Sequence, residues 1–260
     1  MFTTRNPVHE TKKEGRGPKD IVTAETSPLI YARVAGLLLL IIAIVGPFSL
    51  LYLPSTLFVP GDATATADNI RASEGLFRLG IVSDSLIFLL EIVLTALLYV
   101  LLRPVSRALS LGAAFARLAM TVIMGVNLLP YFTALLLLSG AGYLSVFEPD
   151  QLDALVLLFL NAHGYGVFIW QMFFGFHLAV LGYLIFKSGY FPWILGVVMV
   201  FAALGYLIDA YGNILFPNYE EIFGVIVGVT AVIGELPFFL WLLIKGVNVQ
   251  RYNERAQQSR

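Results

Sequence analysis

The chain is 260 residues long, 58% hydrophobic and only 13% charged, with a formal net charge of −1 and no cysteine. Soluble domains carry about 45–50% apolar and about 25% charged residues, so the composition argues against a water-soluble fold. A near-neutral charge gives no basis for nucleic-acid binding, and a chain without cysteine forms no disulfide, thiolate metal site or cysteine nucleophile.

Residues 1–28 are rich in charge, Gly and Pro and nearly free of large apolar side chains. Such a stretch buries too little surface to fold, so a disordered tail is expected. The first apolar run begins near Leu29 and is too long for the hydrophobic part of a signal peptide, so no cleavage is expected. The mean hydropathy of the whole chain, +0.84, arises mainly from six runs: 29–53, 77–102, 109–138, 164–186, 191–212 and 222–244. Each reaches the ~20 residues needed to cross the hydrocarbon core. The expected fold class is therefore all-α, a polytopic bundle of six transmembrane helices over residues 29–245. A polar tail, 246–260, also expected to be disordered, follows it.

The basic residues orient the bundle. Thirteen Lys and Arg residues fall on the side of the two termini, against Arg71 and Arg78 on the other, with Arg117 inside a span. By the positive-inside rule both termini lie in the cytoplasm. Two outer connections carry structure of their own. Asp62 is placed to cap a short helix of small residues that ends near Gly75. Between Glu148 and Asn161, Leu152, Leu155, Val156, Phe159 and Leu160 follow helical spacing, and Pro149 suits a first helical turn. A helix running from there through the fourth span would cover about 35 residues and roughly 52 Å, more than a bilayer core of about 30 Å. A break at Gly164-Tyr165-Gly166 is expected, leaving 148–162 as an amphipathic helix on the outer surface.

Pro47, Pro130 and Pro237 each deprive a carbonyl four residues earlier of its partner, predicting kinks or broken helices in spans one, three and six. Gly224 and Gly228 form a GxxxG pair that permits close helix contact, within the bundle or between copies in a homo-oligomer. The two halves of the chain show no inverted symmetry, because Pro47 has no counterpart in the fourth span.

Ionisable side chains inside the spans are the main functional signal, since they are expensive in hydrocarbon. Glu91, Arg117, His177 and Glu235 fall at one depth, about nine to eleven residues from the cytoplasmic ends of their spans, or roughly 14–17 Å. Glu91 and Arg117 lie on adjacent antiparallel spans and should pair, the guanidinium giving two parallel hydrogen bonds, with Glu235 as a second acceptor. His177 is the member that changes charge most readily near neutrality. Asp84, Asn127 and Asp209 form a second layer nearer the outside. Asp84 and Glu91 share a helix face, so a polar track can descend between them, with His163, Asn161 and Tyr165 at its mouth. The plain alternative is that these groups only hold helices together. No metal site is expected, because no HExxH and no compact His/carboxylate cluster is present. No cofactor is expected, and no serine is spaced as a nucleophile to a histidine.

Several strings add a resemblance: ARVAG at 32–36, GDATATADNI at 61–70, LFRLGIVSD at 76–84, LYVLLRPVSR at 98–107 and AFARL at 114–118. NAHGYG at 161–166, FFGFHL at 173–178 and GYLIDA at 205–210 complete it. From Ala32 to about Lys245 the chain resembles the bacterial membrane-protein family catalogued as domain of unknown function 4386. Arg78, Asp84, Arg117, His163, His177 and Asp209 lie inside these strings. The resemblance implies a bacterial inner-membrane protein and brings no assigned activity. Three readings follow: a small transporter whose polar layers touch a proton or small polar solute, an intramembrane enzyme using a carboxylate and His177, or a structural subunit without a site. The lipid bilayer is the partner common to all three.

Overall fold

A computed structural model describes residues 27–259, so the tail expected over 1–28 lies almost wholly outside the described residues. All regular structure in this range is helical. Helix α1 (Pro28–Pro47) is capped by the Ser27 hydroxyl and continues through a π-helical turn, Phe48–Tyr52, into α2 (Leu53–Leu57). Helix α3 (Ala63–Ala72) begins at Asp62, whose carboxylate accepts from the Ala65 amide at 2.9 Å, as expected. Then come α4 (Glu74–Leu102), α5 (Arg107–Val126), α6 (Leu129–Leu137), α7 (Pro149–Ser188), α8 (Trp193–Leu215), α9 (Glu220–Ile244) and α10 (Val249–Gln258).

Six helical stretches among the described residues are long and apolar enough to cross a membrane: Pro28–Leu57, Glu74–Leu102, Arg107–Leu137, Pro149–Ser188, Trp193–Leu215 and Pro217–Ile244. They correspond one for one to the six expected runs, and the protein is a multi-pass membrane protein. Each span packs on the next around a closed ring, α1 on α4, α4 on α5, α5 on α7, α7 on α8, α8 on α9 and α9 back on α1.

Small residues set the distances in this ring. A Cβ on Gly182 of α7 would lie 2.6 Å from the Gly196 carbonyl oxygen of α8, and one on Gly196 would lie 2.5 Å from that of Gly182. The two backbones therefore touch, which only glycine allows and which membrane helices use in place of a hydrophobic drive. Gly234 of α9 meets Val198 of α8 in the same way, and Gly36 of α1 meets Leu243 of α9. By contrast Gly224 and Gly228 have nothing within 4 Å. The GxxxG pair makes no close contact inside the bundle.

The three prolines behave differently from one another. The helix runs through Pro47, and a π-helical turn follows over Phe48–Tyr52, directly ahead of Pro54. Before Pro130 it stops, leaving Asn127 and Leu128 between α5 and α6. At Pro237, α9 runs on unbroken.

Two expectations fail. The fourth span has no break at Gly164-Tyr165-Gly166, because α7 is one helix of 40 residues, about 60 Å long. Gly166 serves another purpose: a Cβ there would collide with the Asn127 side chain. Nor is 148–162 a helix lying free on a surface. Its Val156 and Leu160 are buried with Leu53, Ile70, Phe77 and Tyr131, and its buried Asp153 accepts from Arg71 of α3 at 2.6 Å. The excess length of α7 thus projects beyond the span and is held by α3 and α6.

The second failure is the C-terminal tail, which is ordered. In α10, Val249, Tyr252 and Ala256 face the bundle, Asn248 caps the first turn, and the Tyr252 hydroxyl donates to the Val100 carbonyl at 3.0 Å. Tyr252 also meets the Tyr190 ring edge-on. Tyr190 itself donates to the Leu101 carbonyl at 2.7 Å. Burial, with Tyr252 beside it, pushes the Tyr190 phenol above its ordinary range, so the donor stays protonated at working pH.

Candidate functional site

Helices α4 and α5 run antiparallel through a short turn, which brings Glu91 and Arg117 side by side. Arg117 Nε donates to Glu91 Oε2 at 2.6 Å, with both side chains buried. The expected two parallel bonds do not form. The other arm of the fork, Nη1, reaches His177 Nε2 of α7 at 3.0 Å, and the guanidinium lies 5.4 Å from the centre of the Phe174 ring, within cation–π range. One arginine therefore ties α4, α5 and α7 together.

The hydrogen bonds fix the state of His177. A guanidinium only donates and a carbonyl only accepts, so Nε2 is the acceptor from Arg117. Nδ1, 2.8 Å from the Ala113 carbonyl, is the donor. The ring is a neutral imidazole with both nitrogens engaged and no carboxylate partner. The geometry gives the carboxylate–His177 acid–base reading no support.

Glu235 also departs from expectation. It does not join Arg117 as a second acceptor; its Oε1 accepts from the Tyr206 hydroxyl of α8 at 2.8 Å. Tyr206 packs edge-on against Phe174, with ring centres 4.8 Å apart, and beside Trp170. The glutamate and Arg117 are thus linked through neighbouring rings, Tyr206 and Phe174.

Inside the ring of spans these groups border one cavity of about 580 Å³. Glu91, Arg117 and Glu235 line its depth, and Asp84, Asn127 and His163 line it further along α4, α5 and α7. Asp84, Ile87 and Glu91 of α4 all border this cavity, with the apolar Ile87 between the two carboxyl groups. Ser49, from the π-helical turn, sits beside Asp84, its hydroxyl bonded to the Gly46 carbonyl.

The gap between α5 and α6 builds the end near His163. Asn127 Nδ2 donates to the His163 carbonyl at 2.9 Å, and His163 Nδ1 donates to the Asn127 carbonyl at 2.7 Å. The interrupted helix end is thus satisfied by a side chain rather than by its own next turn. The ring of His163 stacks on Tyr131, 3.9 Å between centres. Asn161 and Tyr165, expected with His163, are exposed on other faces of α7 and do not line the cavity.

Two predicted residues lie apart from this lining. His177 stands behind Arg117. Asp209 belongs to a separate buried cluster with Asn213 and Gln171, where Asn213 Nδ2 donates to Asp209 Oδ1 at 2.9 Å. No group of three or more His, Asp or Glu able to hold a metal occurs among the described residues.

Tyr206, Trp170 and Phe174, which pack together along the cavity, carry no distinguishing signal in the sequence. Tyr206 and Phe174 lie in GYLIDA and FFGFHL, but aromatic residues are ordinary in apolar spans and only the fold shows which ones face inward.

Comparison with known proteins places the chain. The family profile described as Domain of unknown function (DUF4386) matches residues 34–246. The chain belongs to this family. The matched range runs from within the first span of this DUF4386 protein to just past the sixth and stops short of α10. It is also similar to an archaeal protein from Archaeoglobus fulgidus named "Uncharacterized protein", 32% identical over 168 residues, 64% of this chain and 83% of that one. No solved structure matches.

Proposed function

We propose that this protein is a small carrier in the cell membrane, with both termini in the cytoplasm, that binds a small solute in the cavity at mid-depth. One observation carries the reading: Asp84, Glu91, Arg117, Asn127, His163 and Glu235, contributed by four different helices, border one space. Glu91, Arg117, Asn127, His163 and Glu235 also bond protein partners, yet all six border a space of about 580 Å³, within the roughly 300–1,000 Å³ range of ligand sites. A proton is the natural co-substrate for a site with carboxylates at its centre.

The chain contains no cysteine, so labelling can be read without a background. Asp84→Cys and Glu235→Cys are expected to react with a small membrane-impermeant thiol reagent, while Leu184→Cys, wholly buried in the core, remains unlabelled. If neither 84 nor 235 reacts in folded protein, the carrier reading fails.

A further inference from the structure

The cavity has a side opening, and its charges do not balance. Its wall on α1 and the π-helical turn includes Ile44 and Leu51, 67% and 64% exposed, and its wall on α9 includes Val232, 60% exposed. Residues that line the interior while facing outward mark the place where it opens. Helices α1 and α9 touch near one end, where Gly36 meets Leu243. They stand open at Ile44, Leu51 and Val232, beside the π-helical turn. This opening is wholly apolar and lies within spans surrounded by acyl chains.

The interior is acidic. Three carboxylates, Asp84, Glu91 and Glu235, face one cation, Arg117. Arg117 is taken by Glu91. Among the described residues neither Asp84 nor Glu235 forms an ion pair. His163 at one end has its Nδ1–H committed to a backbone carbonyl. Tyr206, whose hydroxyl donates to Glu235, and Trp170, 6.3 Å away between ring centres, line the same cavity, and aromatic rings attract cations most strongly where water is excluded. An anionic head would oppose the two unpaired carboxyl groups, whereas a cationic one supplies the counter-charge that lets a buried carboxylate ionise.

We infer that the cavity takes an amphipathic organic cation, such as a lipophilic amine or quaternary ammonium. It enters sideways from the bilayer between α1 and α9 and lays its charged centre between Glu235 and the Trp170–Tyr206 wall. This inference rests on the carrier reading and names its substrate class. The apolar part of the ligand occupies the seam it entered by, and the charge exchanges a lipid interface for a carboxylate and two aromatic rings.

Tetraphenylphosphonium and tetraphenylborate have nearly the same size and shape and opposite charge, so they separate the charge preference from simple partitioning. The full-length protein in neutral-lipid nanodiscs is expected to bind radiolabelled tetraphenylphosphonium saturably. A dodecyltrimethylammonium salt should displace it, and tetraphenylborate should not. Glu235→Gln should weaken binding at least tenfold. Val232→Trp, which narrows the seam without touching the charged centre, should slow association and leave the far-ultraviolet helix signal unchanged. Equal or better binding of tetraphenylborate overturns the cation assignment. Absence of saturable tetraphenylphosphonium binding to the unsubstituted protein, where the separate Glu235→Cys variant still labels, also overturns it, while leaving the carrier reading standing. Unchanged association in Val232→Trp overturns the sideways entry.

Discussion

Replacing Arg117 with methionine is expected to destabilise the protein by about 3–5 kcal/mol, because removing one partner of a buried pair leaves the other charge uncompensated. The effect should exceed that of an ordinary core truncation, since three helices lose a shared tie. Glu91 loses its hydrogen-bonded cation, His177 loses the donor to Nε2, and the Phe174 ring loses the charge above it. Thermal unfolding in detergent reads this directly. Glu91→Gln alone should also destabilise, leaving the guanidinium without its anion. Combining Glu91→Gln with Arg117→Gln should recover more than half of the loss, since two neutral amides of similar length replace the charges together. An Arg117→Met protein that melts with the unsubstituted chain would show that the pair does not hold α4, α5 and α7 together.

The second large effect is expected at the crossing of α7 and α8. Gly182→Val and Gly196→Val each push side-chain atoms against a backbone carbonyl within 2.6 Å of the new Cβ. Overpacking typically costs about 1–3 kcal/mol, more when nothing flexible can yield, and here the obstacle is main chain on both sides. The variants should accumulate poorly and melt far below the parent. Gly224→Ala and Gly228→Ala test the contrast. With open space around both positions, each should be neutral or gain about 0.5–1 kcal/mol in helix stability. If the Gly182 and Gly224 substitutions have equal effects, the close crossing is not what sets the α7–α8 distance.

How much of this was legible in the sequence depended on which force decided each feature. The spans were legible because hydropathy acts locally along the chain. The pairing of Glu91 with Arg117 followed from adjacency, an antiparallel turn and equal depth. Its hydrogen-bond pattern did not follow, because a third partner, His177, arrives from 60 residues away. The same limit applies to Glu235, whose partner Tyr206 is 29 residues distant on α8. Depth can be read by counting residues, whereas facing depends on how each helix is rotated in the ring. The expected break in α7 shows a different lesson. Glycine at 166 lowers helix propensity, yet it gives Asn127 room to reach the His163 backbone. Helix α10 could have been read from Val249, Tyr252 and Ala256, whose helical spacing outweighs the polar composition around them.

The unbroken length of α7 also has a mechanical meaning. Asp153, tied to Arg71, and His177, tied to Arg117, ride on one stiff rod, separated by 24 residues and about 36 Å. With backbone touching backbone at Gly182 and Gly196, the rod has a fulcrum near its other end. A tilt of about 5° there carries Asp153 through roughly 4 Å, given the ~44 Å arm, while His177 shifts by well under 1 Å. Any tilt about that contact would therefore displace the Asp153 end several times further than the site beside Arg117.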